Sequence, residues 1–568
     1  MRLKGAEIVV ECLIELGTDI VFGYPGGAVI PIYDALYDRQ DRIQHVLTAH
    51  EQGASHAADG YARVTKKTGV CIATSGPGAT NLVTGIATAY MDSTPLVAIT
   101  GNVSTDLLGR DSFQEVDIMG ITMPVTKHNY QVTNAEDIAK TIREAFIISK
   151  TGRPGPVLID ITKDALMNEC EFDTTFSEER LHELQAAIGI DKQNPLIAKE
   201  INESVDYAIQ LIEQAEKPAI YAGGGVITSG AKEELLEFAE RIQAPVSCSL
   251  MGVSAFPHDH ELYAGMVGMH GSKTSNMAFT ECDLLVVLGA RFSDRVTGKV
   301  NVFARGAKVL HIDIDQAEVN KNISAYHHII DDVKSVLGEF NKKLVKQGHS
   351  EWLHKLNKWK KEDRALLEGK HAPREMISKM RELFEEDAVI VTDVGQHQMW
   401  TAQYYKFRKN DTFVTSGGLG TMGFGLGATI GSQFGSKGQR VILITGDGSF
   451  RMNLNEMATA IRYNLSIIIV LMDNNALGMV RQWQDLFYNR RFSETTLPEV
   501  DFTAVAKAFG LDAYRLDCCD DFEEIFKKAL KSDKPVLIHC KINHDTMVLP
   551  MVPPGKAIDN IMMKKAQI

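Results

Sequence analysis

Residues 444–450 read ITGDGSF and residues 470–475 read VLMDNN. Each closes an apolar, β-branched run on Gly, Asp or Asn, the residues that end strands in turns. The two runs, VILITGDG and LSIIIVLMDNN, are joined by SFRMNLNEMATAIRYN, whose apolar positions suit a helix packed on a sheet, with Asn455 as its expected N-cap. A strand–helix–strand crossover sets the strands parallel, side by side or nearly so, with both C-terminal tips on one edge. Asp447 and Asn474 are therefore predicted to face one crevice, at the edge where open α/β sheets bind ligands. A carboxylate, an amide oxygen and a backbone carbonyl near Ala476 form a hard oxygen set, suited to Mg²⁺ or Ca²⁺ rather than zinc. So few protein ligands leave coordination positions for the oxygens of a bound phosphate. The glycines let the backbone approach a diphosphate, and a helix start supplies N–H groups. A lone GDG is ordinarily only a turn; GDG and NN at this spacing, each closing a strand, are far more specific.

The alternation extends outward. DIVFGYPGG, IQHVLTAHEQ, GVCIATSGPGATN, PLVAITGN and PVLIDI are predicted strands of a first block, residues 1–165. KPAIYAGGGV, APVSCSL, CDLLVVLGARF and AKVLHIDID belong to a second, residues 196–342. DAVIVTDVG, DTFVTSG, RVILITGDG, LSIIIVLMDNN and PVLIHCKIN belong to a third, residues 373–545. The fold class is α/β, three domains, each a mainly parallel sheet flanked by helices. Residues 166–195 and 343–372 are expected linkers. Residues 546–568, which contain VLPMVPPGKA, are expected to form a tail, either a lid or a packing arm.

The chain has 568 residues, too many for one core. Hydrophobic residues make up 44% and charged residues 23%, as in ordinary globular proteins. A net charge of -13 without a basic stripe argues against nucleic acid. The eight cysteines show no C-x-x-C spacing, Cys518 and Cys519 are adjacent, and Cys71, Cys248, Cys282 and Cys540 sit in apolar runs, which suits a reducing compartment. MRLKGAEIVVECLIELG reads as an amphipathic helix carrying Glu7, Glu11 and Glu15 on one face and ended by Gly17, not as a signal peptide. No apolar run approaches a membrane span, and a bacterial cytoplasm is the expected location.

The GDG…NN pair resembles the thiamine diphosphate fingerprint. Enzymes with that fingerprint work through a C2 carbanion. A carboxylate bonded to the aminopyrimidine ring favours the imino tautomer whose nitrogen takes the C2 proton. HVLTAHEQGASHAADGYAR offers Glu51 for that task, just past a predicted strand. Taken alone Glu51 is a helix N-terminal charge favoured by the dipole; beside the fingerprint the functional role is preferred. SGPGATN, residues 75–81, matches the next signature of the thiamine enzymes.

Longer stretches narrow the resemblance: FGYPGGAVIPIYDAL, DSFQEVDIMGITMPVTKHN, GRPGPVLIDITKD, GMHG, GARFSDRVTG, VGQHQMW, SGGLGTMGFGLGA and LGMVRQWQDLFYNRR. From about residue 4 to 555 the chain resembles the catalytic large subunit of the acetohydroxyacid synthase (acetolactate synthase) family, biosynthetic and FAD-containing. The resemblance implies a pyrimidine-binding first domain, a Rossmann-like FAD-binding central domain and a diphosphate- and Mg²⁺-binding third domain. It implies an active site between the first domain of one subunit and the third of another, hence a homodimer or dimer of dimers, and a separate regulatory small subunit.

It also implies site residues. Glu51 corresponds to the cofactor-activating glutamate, and Asp447, Asn474 and the Ala476 carbonyl to the Mg²⁺ ligands. Met422, in GTMGFG, corresponds to the wedge that holds the cofactor bent. Pro25, Gly26 and Gly27 belong to the loop beside the reacting carbon. Gly395, Gln396, His397, Gly420, Gly446, Gly448, Ser449, Leu477, Gly478 and Met479 complete the thiamine diphosphate contacts. Phe113, Gln114 and Lys163 line the substrate channel. Trp483, flanked by Met479 and Val480, corresponds to the residue that favours 2-ketobutyrate; without the family, amphipathic helix packing would be the preferred reading.

For FAD, without a net redox role, the matching residues are Arg153, Gly223, Gly224, Gly225, Ser249, Leu250, Met269, His270, Gly271, Gly289, Arg291, Asp294, Arg295, Asp313, Ile314, Asp332 and Val333. YAGGGV lacks a full G-x-G-x-x-G, and Ser293 stands where the family often has Asp. The implied reaction is decarboxylation of pyruvate and condensation of the hydroxyethyl carbanion with pyruvate or 2-ketobutyrate, early steps toward valine, leucine and isoleucine. Two rival readings are a flavin-redox relative of the pyruvate oxidase kind and a non-catalytic homologue.

Overall fold

A computed structural model describes residues 1–173, 195–366, 370–384, 387–408, 412–436, 438–517 and 519–564. The first block contains β1 (Arg2–Lys4), β2 (Ile20–Gly23), β3 (Gln44–Leu47), β4 (Gly69–Ala73), β5 (Leu96–Asn102), β6 (His128–Val132), β7 (Pro156–Thr162) and β8 (Glu169–Glu171). The central block contains β9 (Pro218–Ala222), β10 (Val246–Cys248), β11 (Tyr263–Met266), β12 (Leu284–Leu288), β13 (Lys308–Asp313) and β14 (His327–Ile330). The third contains β15 (Val389–Thr392), β16 (Thr412–Val414), β17 (Val441–Gly446), β18 (Ile468–Asp473), β19 (Asp512–Leu516) and β20 (Val536–Lys541).

Three six-stranded sheets result, in the orders β3-β2-β4-β5-β7-β6, β11-β10-β9-β12-β13-β14 and β16-β15-β17-β18-β20-β19. Their strand pairs are parallel. The inner strands are buried along their length, which is why they read as unbroken apolar runs. The first and third sheets share one order strand for strand. The central sheet instead has the order of dinucleotide-binding folds, reversing between β9 and β12.

The first helix, Gly5–Glu15, stops as its sequence predicts. Gly17 has φ +79, its N–H donates to the Ile14 carbonyl, and the Thr18 N–H donates to Leu13. The predicted cap at Asn455 is a correction. A helix begins at Asp447 itself, with Gly446 in the N-cap position, and Asn455 lies in the short 3₁₀ turn Leu454–Glu456. The strand tip therefore runs straight into a helix N-terminus.

The first and third domains share one core, with Phe22 and Tyr61 clustered with Phe424 and Leu443. The helix Glu51–Thr65 crosses the helix Phe424–Gly435 on small residues: a Cβ at Gly60 would overlap the Ala428 carbonyl, and one at Gly431 the Ala57 carbonyl. Arg63 ties the contact together, pairing with Asp59 at 2.6 Å and Asp92 at 3.1 Å and donating to the Thr415 carbonyl.

Of the interval 166–195, β8 pairs antiparallel with β1; residues 174–194 lie outside the described residues. The interval 343–372 contains the helix Ser350–Leu366, whose Trp352, Leu356 and Trp359 pack on the central domain beside Phe279 and Phe303. Past residue 545 the chain packs against the central and third domains. Met551 and Met562 join Met269 and Leu486, and the Val552 N–H donates to the Met269 carbonyl. Among the described residues no helix is long and apolar enough to cross a membrane.

Candidate active site

Strands β17 and β18 are parallel neighbours, so Asp447 and Asn474 emerge on one edge. A cleft opens there. Its wall includes Gly395, Gln396, His397, Met422, Gly446, Asp447 and Gly448. Ser449, Asn474, Ala476, Leu477, Gly478, Met479 and Val480 also line it, and Val394, Trp400, Met472 and Ile542 add apolar surface.

Asp447 is buried, yet its Oδ2 has no hydrogen-bond partner. Burial, then the nearby Asp473 charge, pushes its carboxyl up to about 7, against the pull of Arg451 and the Asn474 N–H. An unpartnered buried oxygen is costly and suits a cation. The Asn474 amide is already oriented: Nδ2 donates to Gln396 Oε1 at 3.2 Å, and Oδ1 accepts from the Ala476 N–H at 3.1 Å. Gln396 in turn donates to Gln482 Oε1 and to the Thr546 carbonyl, both at 3.0 Å. Asp473 faces the other side of the strand. Burial opposes its charge, but His539 at 2.7 Å, the Asn475 N–H and Lys541 at 3.0 Å outweigh it and hold the carboxyl at about 2.

Close backbone approach requires the glycines. A Cβ on Gly446 would lie 2.8 Å from His397 Nδ1, one on Gly448 2.8 Å from Leu477 Cδ2, and one on Gly478 would overlap Gln396. Met422 Cε reaches within 3.6 Å of the same Gly448 position, so the methionine borders the glycine cradle. Gly420, at φ +73, shapes the turn before it without lining the cleft. His397 is buried, which lowers its ring to about 3, and its Nε2 is unpartnered. The cleft thus offers a hard oxygen set, N–H groups at a helix start and a neutral imidazole.

Asp393 escaped the sequence reading. It accepts from the N–H groups of Val394, Gly423 and Gly425, fastening the Met422 turn to the tip of β15. Burial raises its carboxyl to about 6 despite those donors. Its signal was present: TDVG ends a strand as TGDG does.

The residues assigned to the first domain do not line this cleft within one chain. Glu51 starts the helix Glu51–Thr65 and accepts from Asn81 Nδ2 at 3.0 Å. Gly26 presses on Thr74, whereas Pro25 and Gly27 are exposed. Phe113 is 87% exposed. Gln114, at φ +61, lies against Gly76, and Lys163 is exposed at the start of a short helix. Trp483 is not in the wall either. It stacks edge-on with Phe487 at 5.6 Å, and the Arg295 guanidinium lies 5.9 Å from its ring.

The flavin candidates of the central domain collect at one sheet edge. Gly223–Gly225 follow β9, Ser249 and Leu250 follow β10, Met269–Gly271 follow β11, Gly289 and Arg291 follow β12, Asp313 ends β13 before Ile314, and Asp332 and Val333 follow β14. At the order reversal Gly225 and Gly289 abut, a Cβ on the first falling 2.7 Å from the second's Cα. His270 Nδ1 is buried and unpartnered. Arg153 pairs with Asp315 and Glu318, Arg291 donates to the Met91 carbonyl, and Arg295 pairs with Asp294.

Comparison with known proteins agrees. Three family descriptions match in chain order: "Thiamine pyrophosphate enzyme, N-terminal TPP binding domain" over residues 3–121, the central domain over 205–340 and the C-terminal TPP binding domain over 393–540. They define the class as the thiamine diphosphate enzymes. Full-length similarity is more specific. A probable acetolactate synthase large subunit of Methanocaldococcus jannaschii is 45% identical, over 99% of this chain and 95% of its own length. The acetolactate synthase isozyme 2 large subunit of Escherichia coli is 44% identical, over 99% and 100%. The acetolactate synthase large subunit of Cyanidium caldarium is 43% identical, over 97% and 95%. The chain belongs to the acetolactate synthase large subunits, a family of thiamine diphosphate-dependent enzymes.

Proposed function

We propose that the chain decarboxylates pyruvate and joins the two-carbon fragment to a second 2-ketoacid. Pyruvate would give 2-acetolactate, and 2-ketobutyrate 2-aceto-2-hydroxybutyrate, in branched-chain amino acid biosynthesis. The observation that carries this reading is the unpartnered Asp447 oxygen at a glycine-lined edge beside Asn474. Asp447, Asn474 and the Ala476 carbonyl would hold Mg²⁺, and the N–H groups opening the helix at Asp447 would receive the diphosphate. Thiamine diphosphate, when bound, would supply a nucleophilic C2 carbon and a positive thiazolium ring that delocalises the electron pair left when CO₂ departs. Glu51 would hold the proton at the aminopyrimidine ring, and Met422 would support the cofactor.

Glu51, Gly26, Gln114 and Lys163 are absent from the wall of the cleft within one chain, which supports an active site completed by a second copy. Phe113, exposed on a single chain, fits the same arrangement. The relatives' designation as large subunits supports a separate regulatory small subunit. Gly223–Gly225, Gly289 and Asp313, at the C-terminal edge of the central sheet, would hold FAD. Trp483, Met479 and Val480 select the second ketoacid, and the tail past residue 545 braces their helix.

The test is product analysis on purified protein given equal pyruvate and 2-ketobutyrate with thiamine diphosphate, Mg²⁺ and FAD, oxygen being followed in parallel. Acetohydroxybutyrate in excess of acetolactate, without stoichiometric oxygen use, is expected. Acetate or acetyl phosphate with matching oxygen loss would make the flavin a working redox centre and overturn the assignment.

A further inference from the structure

The segment joining the two metal-site strands also grips the opposite domain. Glu456, at the end of the turn Leu454–Glu456, is fully buried. Its carboxylate accepts from the Ala49 N–H at 3.1 Å to each oxygen, from the His50 N–H at 3.0 Å and from the Thr459 hydroxyl at 2.6 Å. Ala49 lies 407 positions away in the chain, and the next residue but one is Glu51. A Cβ on Gly53, in the first turn of the Glu51 helix, would overlap Glu456 Oε1. A second hold lies one step earlier, where the Leu47 N–H donates to the Tyr463 hydroxyl at 2.8 Å. On the far side Asn81 holds the Glu51 carboxylate at 3.0 Å, and a Cβ on Gly78 would stand 3.2 Å from it.

A buried carboxylate whose partners are all neutral is an expensive way to fill space, and an apolar side chain of similar volume would serve packing better. Burial does push the Glu456 carboxyl up, against those donors. What the carboxylate adds is direction, because two successive N–H groups converging on one group fix the backbone that leads into residue 51. We propose that Glu456 is a positioning residue for Glu51, setting from the third domain the backbone on which the Glu51 carboxylate reaches the cofactor ring. The inference rests on the role given to Glu51 above.

A displacement of about 1 Å at a reacting group can cost roughly 100-fold in rate, so a partial loss of this grip is expected to lower kcat about 10- to 100-fold. The experiment compares holoenzyme carrying Glu456→Gln, Gly53→Ala or Glu51→Gln with the unaltered chain. Three quantities are read: kcat and KM for pyruvate, the exchange rate of the C2 proton of bound thiamine diphosphate, and amide hydrogen exchange in the apoprotein. Glu456→Gln is expected to lower kcat and C2 exchange by the same factor with KM little changed. It should speed amide exchange at Ala49 and His50 while Val441–Gly446 stays protected. Gly53→Ala, which displaces the carboxylate without removing it, should reproduce that pattern. Faster amide exchange throughout the core, or unchanged C2 exchange in a folded Glu456→Gln protein, would overturn the positioning role alone. Full activity in Glu51→Gln would overturn the role of Glu51, and the inference with it.

Discussion

The first and third sheets have the same strand order and do different things with it. Matched strand for strand, β4 and β5 of one correspond to β17 and β18 of the other. In the third domain the tip of β17 leaves Asp447 buried with a free oxygen. In the first domain the tip of β5, which corresponds to β18, is satisfied internally. Asn102, ending β5, donates to Asp160 at 2.5 Å and accepts from the Val103 N–H, and Asp160 also accepts from Thr100. The shared topology supplies an edge; polar groups left unsatisfied there make it a binding site. The first domain instead presents its carboxylate, Glu51, from the strand β3 beyond.

The contrast can be broken at several points. The largest effect is expected at Glu51. Glu51→Gln should lower kcat about 10²- to 10⁴-fold, the usual worth of a positioned proton-transfer group, with cofactor affinity nearly unchanged by fluorescence titration. Asp447→Ala should do the opposite, weakening Mg²⁺-dependent cofactor binding by about 100-fold or more. Asn102→Ala, at the first-domain tip that corresponds to β18, should leave cofactor affinity intact and destabilise the chain by about 1–3 kcal/mol through the donor Asp160 loses. Cofactor loss in both variants would end the distinction between the two edges. Trp483→Leu should reduce the preference for 2-ketobutyrate about tenfold, the scale of one methylene contact, in a competition assay.

A pH-dependent effect is expected at Asp393. Its folded carboxyl titrates at about 6 against an ordinary 3.8. Between those values the native state binds more protons than the unfolded chain, so this group's contribution to stability falls as pH rises through that window and is level above it. Asp393→Asn should flatten the melting-temperature profile there, by an amount on the order of 2–3 kcal/mol.

The inner strands were legible because burial on both faces leaves them no polar alternation. The strands that escaped the sequence reading are edges or short ribbons. β6 is HNYQV, β11 YAGM, β14 HHII and β19 DAYRL, each pairing on one side only and each mixing polar residues or glycine into a short run. β1 and β8 pair only with each other. The edges β3 and β16 were read because IQHVLTA and DTFVTS carry β-branched residues and run into turn residues. The GDG and DNN tips were legible as chemistry because acidic and amide residues seldom end buried strands without a task. Glu456 was not, because a glutamate in NLNEMATA looks like any helix-surface charge until the other domain is placed on it. The Asn455 cap failed for a related reason, since the strand passes into its helix without a loop.

The C-terminal tail carries one more implication. Its first residue, Thr546, accepts from the same Gln396 that orients Asn474, and two residues on, Val548 zips to Gln482 through both its N–H and its carbonyl. Two amide side chains therefore stand between the tail and Asn474, the proposed metal ligand. A proteolytic nick after residue 545, or a fusion that pulls the tail away, would register first as a change in ion affinity and only later as a change in melting temperature.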